Sequence, residues 1–495
     1  MANRAEPSSI LSTAPAGLAD QPDPRRWRVL SVTLTAGFMG LLDVSIVTVA
    51  LPSIERSLGS SPSGVQWVVS GYALAFGLAL VPAGRLGDAW GRRQMFLLAL
   101  SGFVMTSALA GAAATLPWLI AARLAQGCAA GMLSPQNSGL IQDLFRGPER
   151  GQAFGLFGAT VGLSTAIGPV VGGVILAVFG EPEGWRWVFY VNVPIGLLAL
   201  VLAFRLVPVN RRNVSEEVDP VGHLDLVGTA LLGSGVLAML WPLLQQDAIG
   251  RLWWLFVLAA LLLAGFVSWE IRVTRIGRSA PLLDLRLVTS TPGYASGAGL
   301  GLTYFVGFSG IWLVFAMFFQ TGLGYSALRS GLAVTPFAVG SAVSAMVAGR
   351  AVSQWGRRLT VLGLFCVAAG LSATAFLLRG ATSQHAAWLT AGPLLFAGLG
   401  GGLVISPNIT LTLSAVPVRM AGAAGGALQT SQRIGSAIGT ALLASVYYST
   451  LAAPGRSAGS AVFVALLCAV GVVLMALLLA VLDLRREARR PLNSG

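Results

Sequence analysis

Apolar runs of about 20 residues recur from position 29 to position 481 of the 495-residue chain, and each is long enough to cross a bilayer as a helix. The predicted spans are 29–51, 65–83, 94–112, 117–140, 152–178, 188–206, 224–244, 252–270, 294–319, 330–349, 359–378, 388–407, 420–448 and 460–481. Read singly they make about fourteen helices; where Gly and Pro split or lengthen a run, the range is twelve to fourteen. Composition agrees with a life in lipid. Charged residues are 10% and hydrophobic residues 55%, whereas a soluble chain carries roughly a quarter charged residues. The 62 glycines suit close approach of membrane helices.

The net charge of +13 resides wholly in arginine: all 32 basic residues are Arg. Without lysine, neither a Walker A nucleotide loop nor Schiff-base chemistry is available. Most arginines sit in short loops, the distribution that orients membrane helices, so the charge implies no nucleic-acid partner. About 24 lie on segments of one side and about 6 on the other, with Arg123 and Arg433 inside spans. An even number of crossings puts both termini on the arginine-rich, cytoplasmic side. Cys128, Cys366 and Cys468 lie within apolar runs at no paired spacing and read as small packing residues. Residues 1–28 form a polar, Pro/Ala/Ser-rich tail without the pattern of a signal peptide.

The chain repeats itself. Gly84-Arg85-Leu86-Gly87-Asp88-Ala89-Trp90-Gly91-Arg92-Arg93 follows the second span, and Gly349 to Arg358 follows the tenth, 265 positions later. The expected architecture is all-α: a six-helix bundle over 29–207, a linker with two additional helices over 208–288, a second six-helix bundle over 289–482 and a tail over 483–495. Duplication of this sort marks secondary transporters, with the site between the halves near mid-membrane.

Within the repeated loop, Gly84 and Gly91 permit tight turns, Asp88 can cap a helix or pair with arginine, and Arg92 and Arg93 anchor at the membrane face. One copy is an ordinary basic turn; two copies at matched positions point to a conformational latch. Ser353 replaces Asp88 in the second copy, so only the first half retains the acid in this loop. Asp43 lies mid-span, on a face shared with Ala36 and Gly40 at helical spacing. An intramembrane carboxylate costs several kcal/mol and is functional by default, the alternative being a structural carboxylate satisfied by neighbours. Arg123, Gln126, Gly127, Ala130, Gly131 and Ser134 form one polar and small stripe on the fourth span. Arg123 keeps its proton and requires a partner, carbonyls or a water-filled cavity. Gly151, Gly155, Gly158 and Gly162 on the fifth span make a close helix contact, followed by Gly168-Pro169-Val170-Val171-Gly172-Gly173. Asp225, Glu270, His223 and Asp143 fall near span edges and read as interfacial, and His385 lies in an outer loop.

On these residues the chain resembles the fourteen-helix drug:proton antiporters of the major facilitator superfamily over nearly its whole length. The Gly84–Arg93 loop resembles the superfamily signature. Asp43 to Pro52 resembles the first-helix motif of the branch, with Ser45 and Thr48 where Thr and Asn are usual. Arg123-Leu124-Ala125-Gln126-Gly127 is similar to the fourth-helix motif implicated in proton transfer, and Gly168–Gly173 to the fifth-helix motif of exporters. Trp185 to Pro194 and Gln320 to Ser326 are similar to branch-typical stretches. The resemblance implies proton-coupled efflux by rocker-type alternating access, with Asp43 and Arg123 in proton coupling and no cofactor beyond the proton gradient.

No Asp or Glu occurs between Asp284 and Asp483, so a coupling carboxylate belongs to the first half. With Gln126, the second half offers Tyr304, Trp312, Gln320, Asn408 and Gln429 as candidate cavity residues, suited to flat, weakly polar ligands. One carboxylate cannot neutralise two charges and exchange a proton, so the expected cargo is lipophilic and neutral or monocationic. The expected partners are this cargo, protons and the bilayer of the cell membrane, around a monomer. The alternatives are an uptake symporter for a small metabolite, an exporter of one endogenous secondary metabolite, or a receptor without transport. Enzymatic chemistry finds no metal cluster, nucleophile–base pair or nucleotide loop.

Overall fold

The computed structural model describes residues 24–60, 62–180, 182–208, 225–244, 249–276, 282, 286–381, 385–417 and 420–488. Among them every regular element is a helix. The first half comprises α1 (Arg26–Leu58), α2 (Pro62–Trp90), α3 (Arg92–Gly111), α4 (Leu116–Leu144), α5 (Gly147–Phe179), α6 (Trp185–Tyr190) and α7 (Asn192–Leu206). Between the halves stand α8 (Leu226–Leu244), α9 (Ile249–Leu252) and α10 (Trp254–Ile276). The second half comprises α11 (Arg286–Ser290), α12 (Tyr294–Ser309), α13 (Ile311–Ala316) with a π-helical turn Met317–Gly322, α14 (Ala327–Trp355), α15 (Arg357–Leu378), α16 (Ala386–Ser414), α17 (Ala421–Leu451) and α18 (Ala458–Ala488).

Twelve helical segments among the described residues are long and apolar enough to cross a membrane. α6 with α7 forms one of these crossings, and α12 through the π-helical turn another. Two further helices, α5 and α8, run 33 and 19 residues, or about 50 and 28 Å at 1.5 Å per residue. These fourteen correspond one for one to the runs read from the sequence. α18 continues past 482 to Ala488, so the residues expected to open the second tail are helical. The proposed first tail, apart from the start of α1, and His223 lie outside the described residues.

Two core clusters lie wholly within the first half, and a larger one spans the seam between the halves. In the first half, Phe96, Phe103, Leu133 and Ala199 cluster toward the face where α1 begins and α18 ends, and Ile46, Val68, Trp185 and Phe189 toward the other face. In the second, Phe315, Phe319, Leu371 and Leu466 belong to one continuous cluster that also takes in Leu30, Phe145, Phe154 and Phe157 of the first half. Across the halves, α5 packs on α14 and α16, while α2 and α4 pack on α17. α8 and α10 form a pair, with α8 lying against α2 and α17.

Asp225 and Glu270, expected at the membrane interface, are instead 7% and 0% exposed. Asp225 accepts from the Gly228 N–H at 2.7 Å and from Trp269 Nε1 at 2.9 Å, which fastens α8 to α10. Glu270 accepts from the Leu282 N–H at 3.1 Å. Pairing of the inserted helices, invisible in their separate runs, buries both carboxylates.

Candidate functional site

Asp43 lies near the middle of α1 with no exposure. Its Oδ2 accepts from Nη1 of Arg123. Its Oδ1 accepts from Nδ2 of Asn192 at 3.0 Å and from Nε2 of Gln126 at 3.1 Å. Arg123, also unexposed, donates through Nε to the Val68 carbonyl at 2.9 Å and through Nη1 to Gln126 Oε1 at 2.7 Å. Its guanidinium stands 4.2 Å from the Tyr72 ring centroid, and Tyr72 donates to the Gly40 carbonyl at 2.9 Å. Gln126 reaches Ser107 Oγ at 2.8 Å. Five helices of the first half therefore meet at one carboxylate.

Local sequence explains how. A Cβ on Gly127 would come within 2.9 Å of the Tyr72 backbone, so glycine there lets α4 lie on α2 and brings Arg123 beside Tyr72. Gln126 is one turn from Arg123 and shares its face. Asn192 opens α7 at the break after α6, which turns its amide inward. A buried charge needs this much compensation, since a lone intramembrane carboxylate is expensive.

At the face where α1 begins and α18 ends, Asp88 joins the halves. It pairs with Arg92 at 3.1 Å and accepts from the Gly422 and Ala423 N–H groups at 3.1 and 3.0 Å. These donors belong to the first turn of α17, where unbonded N–H groups favour an anion. The helix capped is thus in the other half, not the next in the chain. Arg92 also bonds the Gly139 carbonyl and pairs with Asp143 at 2.8 Å, and Arg93 donates to the Phe204 carbonyl at 2.6 Å. Gly91, at φ 103°, adopts a backbone suited to glycine between α2 and α3. Gly84 meets Gly422 so closely that a Cβ would lie 2.7 Å from its carbonyl carbon.

The second loop is built alike without its acid. Gly356 again has positive φ, at 50°, and Arg357 turns inward to Asn408 Oδ1 at 2.7 Å and Asp483 at 2.9 Å. The acid missing at Ser353 is supplied from α18. Across the halves this end makes a glycine contact instead of a cap: Cβ atoms on Gly349 and Gly155 would meet each other's backbone at 2.7 and 2.9 Å.

The glycines of α5 divide among three neighbours. A Cβ on Gly158 would lie 3.2 Å from Ser406 of α16, and on Gly162 3.4 Å from Ser341 of α14. A Cβ on Gly168 would clash with the Ser45 side chain, 2.5 Å from its Cβ, one on Gly172 would meet Ile46 of α1 at 3.1 Å, and one on Gly173 would lie 3.8 Å from Leu328 of α14. Pro169 falls within the helix between them. Ser45 bonds the Ser164 carbonyl at 3.1 Å and fits beside Gly168.

The candidate cavity residues scatter. Gln126 belongs to the Asp43 network. Gln429 bonds Ser134 Oγ and Ser138 Oγ, the latter at 3.3 Å, and so bridges α17 to α4 across the halves. Tyr304, 1% exposed, stacks on Phe308 at 5.1 Å, and Trp312 meets Phe308 and Phe337 edge-on at 5.5 and 5.0 Å. Two residues fall elsewhere than expected. Asn408 is tied within the second half between Arg357 and the Gly297 carbonyl, the latter at 2.9 Å, and Gln320 is exposed on the π-helical turn. Asn192, Ser107, Tyr72 and Asp483 were not singled out. Asn192 stood within the quoted Trp185–Pro194 stretch, a polar residue among apolar ones, and was the one with a legible signal.

Two bundles with matched loops, closed on one face around a buried acid–arginine pair, define a polytopic membrane transporter rather than an enzyme. The profile of the Major Facilitator Superfamily matches residues 33–440 and 297–494, and the chain belongs to that superfamily. It is 37% identical over 456 residues to the "Probable actinorhodin transporter" of Streptomyces coelicolor, covering 90% of this chain and 78% of the relative. It is 36% identical over 489 residues to the "Puromycin resistance protein pur8" of Streptomyces alboniger, covering 94% and 93%. A crystal structure of the human organic anion transporter MFSD10 shares the fold at TM-score 0.66 and 16% identity, over 92% of this chain and all of that one.

Proposed function

We propose that the protein exports lipophilic drugs or secondary metabolites across the cell membrane by alternating access, in exchange for protons bound at Asp43. The observation that carries this reading is the wholly buried Asp43–Arg123 pair, in a chain with no Asp or Glu between Asp284 and Asp483. Relatives named for antibiotic transport and resistance support export over uptake. Arginine asymmetry supports cytoplasmic termini, so the face closed by Asp88 and the glycine contacts is the inner one. In this state cargo space is shut toward the cytoplasm.

Protonation of Asp43 removes the charge that holds Arg123, Gln126 and Asn192 together. Their rearrangement biases the halves toward one access state, while cargo between the halves biases them toward the other. No resident cofactor is needed. Dications are poor cargo, because the one carboxylate is already covered by three side chains. Neutral lipophilic molecules meet no such charge cost.

Everted membrane vesicles test the direction and the driving force. A neutral lipophilic fluorophore is expected to accumulate when the lumen is acidified and to leak out when a protonophore is added. Accumulation in right-side-out vesicles alone would establish uptake instead.

A further inference from the structure

The repeated loop ends on an arginine in both halves, and the two arginines are served differently. Arg93 donates through Nη2 to the Phe204 carbonyl at 2.6 Å, with its guanidinium 5.3 Å from the Phe204 ring centroid. Phe204 lies in the last turn of α7, which stops at Leu206, and carbonyls there lack partners within the helix. Arg358, 265 positions after Arg93, is exposed at the start of α15. Among the described residues it makes no ion pair, no hydrogen bond and no ring contact. The length of α18 explains the difference. That helix runs on to Ala488, so the carbonyls of Leu477 and Val481 are taken by its own N–H groups one turn ahead.

Where the first half has an acceptor, the second has a groove. Arg358 stands at one end of a space of 390 Å³ between α15 and α18, walled by Val361, Leu362 and Phe365 on one side and by Leu477 and Val481 on the other. Arg358 and Phe365 are seven residues apart on one helix face, so the groove runs about 10 Å from the arginine toward the membrane interior. Leu362 is 46% and Phe365 58% exposed, so its open side faces lipid and not another helix. The wall suits a flexible apolar chain, and the cation at its mouth calls for an anionic acceptor. From Asp483 to Arg490 the chain holds four arginines and two acids, and Asp483 is already paired with Arg357 at 2.9 Å. Such an excess of arginine favours a headgroup of net negative charge over a zwitterionic one.

We propose that this groove binds an anionic phospholipid from the leaflet on the side where α18 ends. Its phosphate accepts from Arg358 as the Phe204 carbonyl accepts from Arg93, and one acyl chain lies against Leu362, Phe365 and Val481. The lipid thereby fastens α15 to α18, as Arg93 fastens α3 to α7. The groove is apart from the Asp43 network and from the seam between the halves, so the inference does not depend on what is exported.

The test is native mass spectrometry of the full chain, released from micelles holding equal amounts of phosphatidylglycerol and phosphatidylcholine with identical acyl chains. One phosphatidylglycerol is expected to be retained about fivefold over phosphatidylcholine, the worth of one arginine at an anionic leaflet. Arg358→Gln should remove that preference and Arg358→Lys keep part of it. Arg456→Gln, which removes a charge from the loop between α17 and α18 at the opposite face, should leave it unchanged. Diacylglycerol with the same chains, which lacks the phosphate, should not be retained, and millimolar inorganic phosphate should not displace the lipid. Equal retention of the two phospholipids by the wild type, a preference surviving in Arg358→Gln, or displacement by inorganic phosphate overturns the proposal.

Discussion

At the residue scale, the chemistry of this protein centres on a charge that the membrane should reject. Asp43 is tolerated because Arg123, Gln126 and Asn192 donate to it, and Arg123 because it also meets the Val68 carbonyl, Gln126 and the Tyr72 ring, its Nη2 alone making no hydrogen bond among the described residues. Removing one member of a buried pair costs more than removing both. Arg123→Leu should therefore destabilise the protein by about 3–5 kcal/mol, and the double variant Asp43→Leu/Arg123→Leu should recover much of that. Unfolding in increasing denaturing detergent measures both. Asp43 and Arg123 were legible in the sequence because ionisable residues inside apolar runs are few. Asn192 was not, because its approach to α1 depends on the break between α6 and α7. Asn408 misled for a related reason: an amide in an apolar span looks like a cavity group until its partners, Arg357 and Gly297, are seen.

At the element scale, the two loops are mirror solutions to closing one face. α2 ends against the start of α17 through Gly84 and the Asp88 cap, and α14 ends against the start of α5 through Gly349 and Gly155. Their duplication was visible in the chain; that Asp88 caps a helix of the other half was not, since nothing in the local sequence names the partner. Gly84→Val would force a side chain into the Gly422 backbone and should favour the state open on this face. In a background lacking the three native cysteines, Ser138→Cys, sealed here beside Gly425, should react several-fold faster with an impermeant thiol reagent. Asp88→Asn should act in the same direction by up to about 2 kcal/mol, since this helix N-terminal charge is buried.

A second clasp joins α1 to α5, where Arg26 grips both oxygens of Glu149 at 3.0 and 2.9 Å. The bond from Arg26 holds the Glu149 carboxyl below its ordinary value of 4.5. A carboxyl lowered by folding stabilises the protein above its unfolded pKa, and that contribution is lost as pH falls through the folded value. Glu149→Gln should lower the melting temperature slightly at pH 7 and leave it unchanged near pH 3, as differential scanning fluorimetry would show. Pairing between α8 and α10 was the least legible feature at this scale. Each run is a good membrane helix alone, and only their packing buries Asp225 and Glu270.

At the scale of the whole molecule, two bundles meet along α2, α4 and α5 on one side and α14, α16 and α17 on the other. Small residues dominate the closest points of that seam, at Gly84 with Gly422 and Gly349 with Gly155, while Phe145, Phe154 and Phe157 carry the second half's core across it. The number of spans, their duplication and the asymmetry of acids between halves could all be read from the chain. Which groups face the seam could not. Proton-driven export, as proposed, turns on Asp43 as the proton site. The direct measurement compares wild type with Asp43→Asn in vesicles, under two regimes. Cargo-for-cargo exchange without a pH gradient should persist in the variant, because the seam is intact. Uphill accumulation driven by a proton gradient should vanish. Accumulation by Asp43→Asn to the wild-type level would contradict the account.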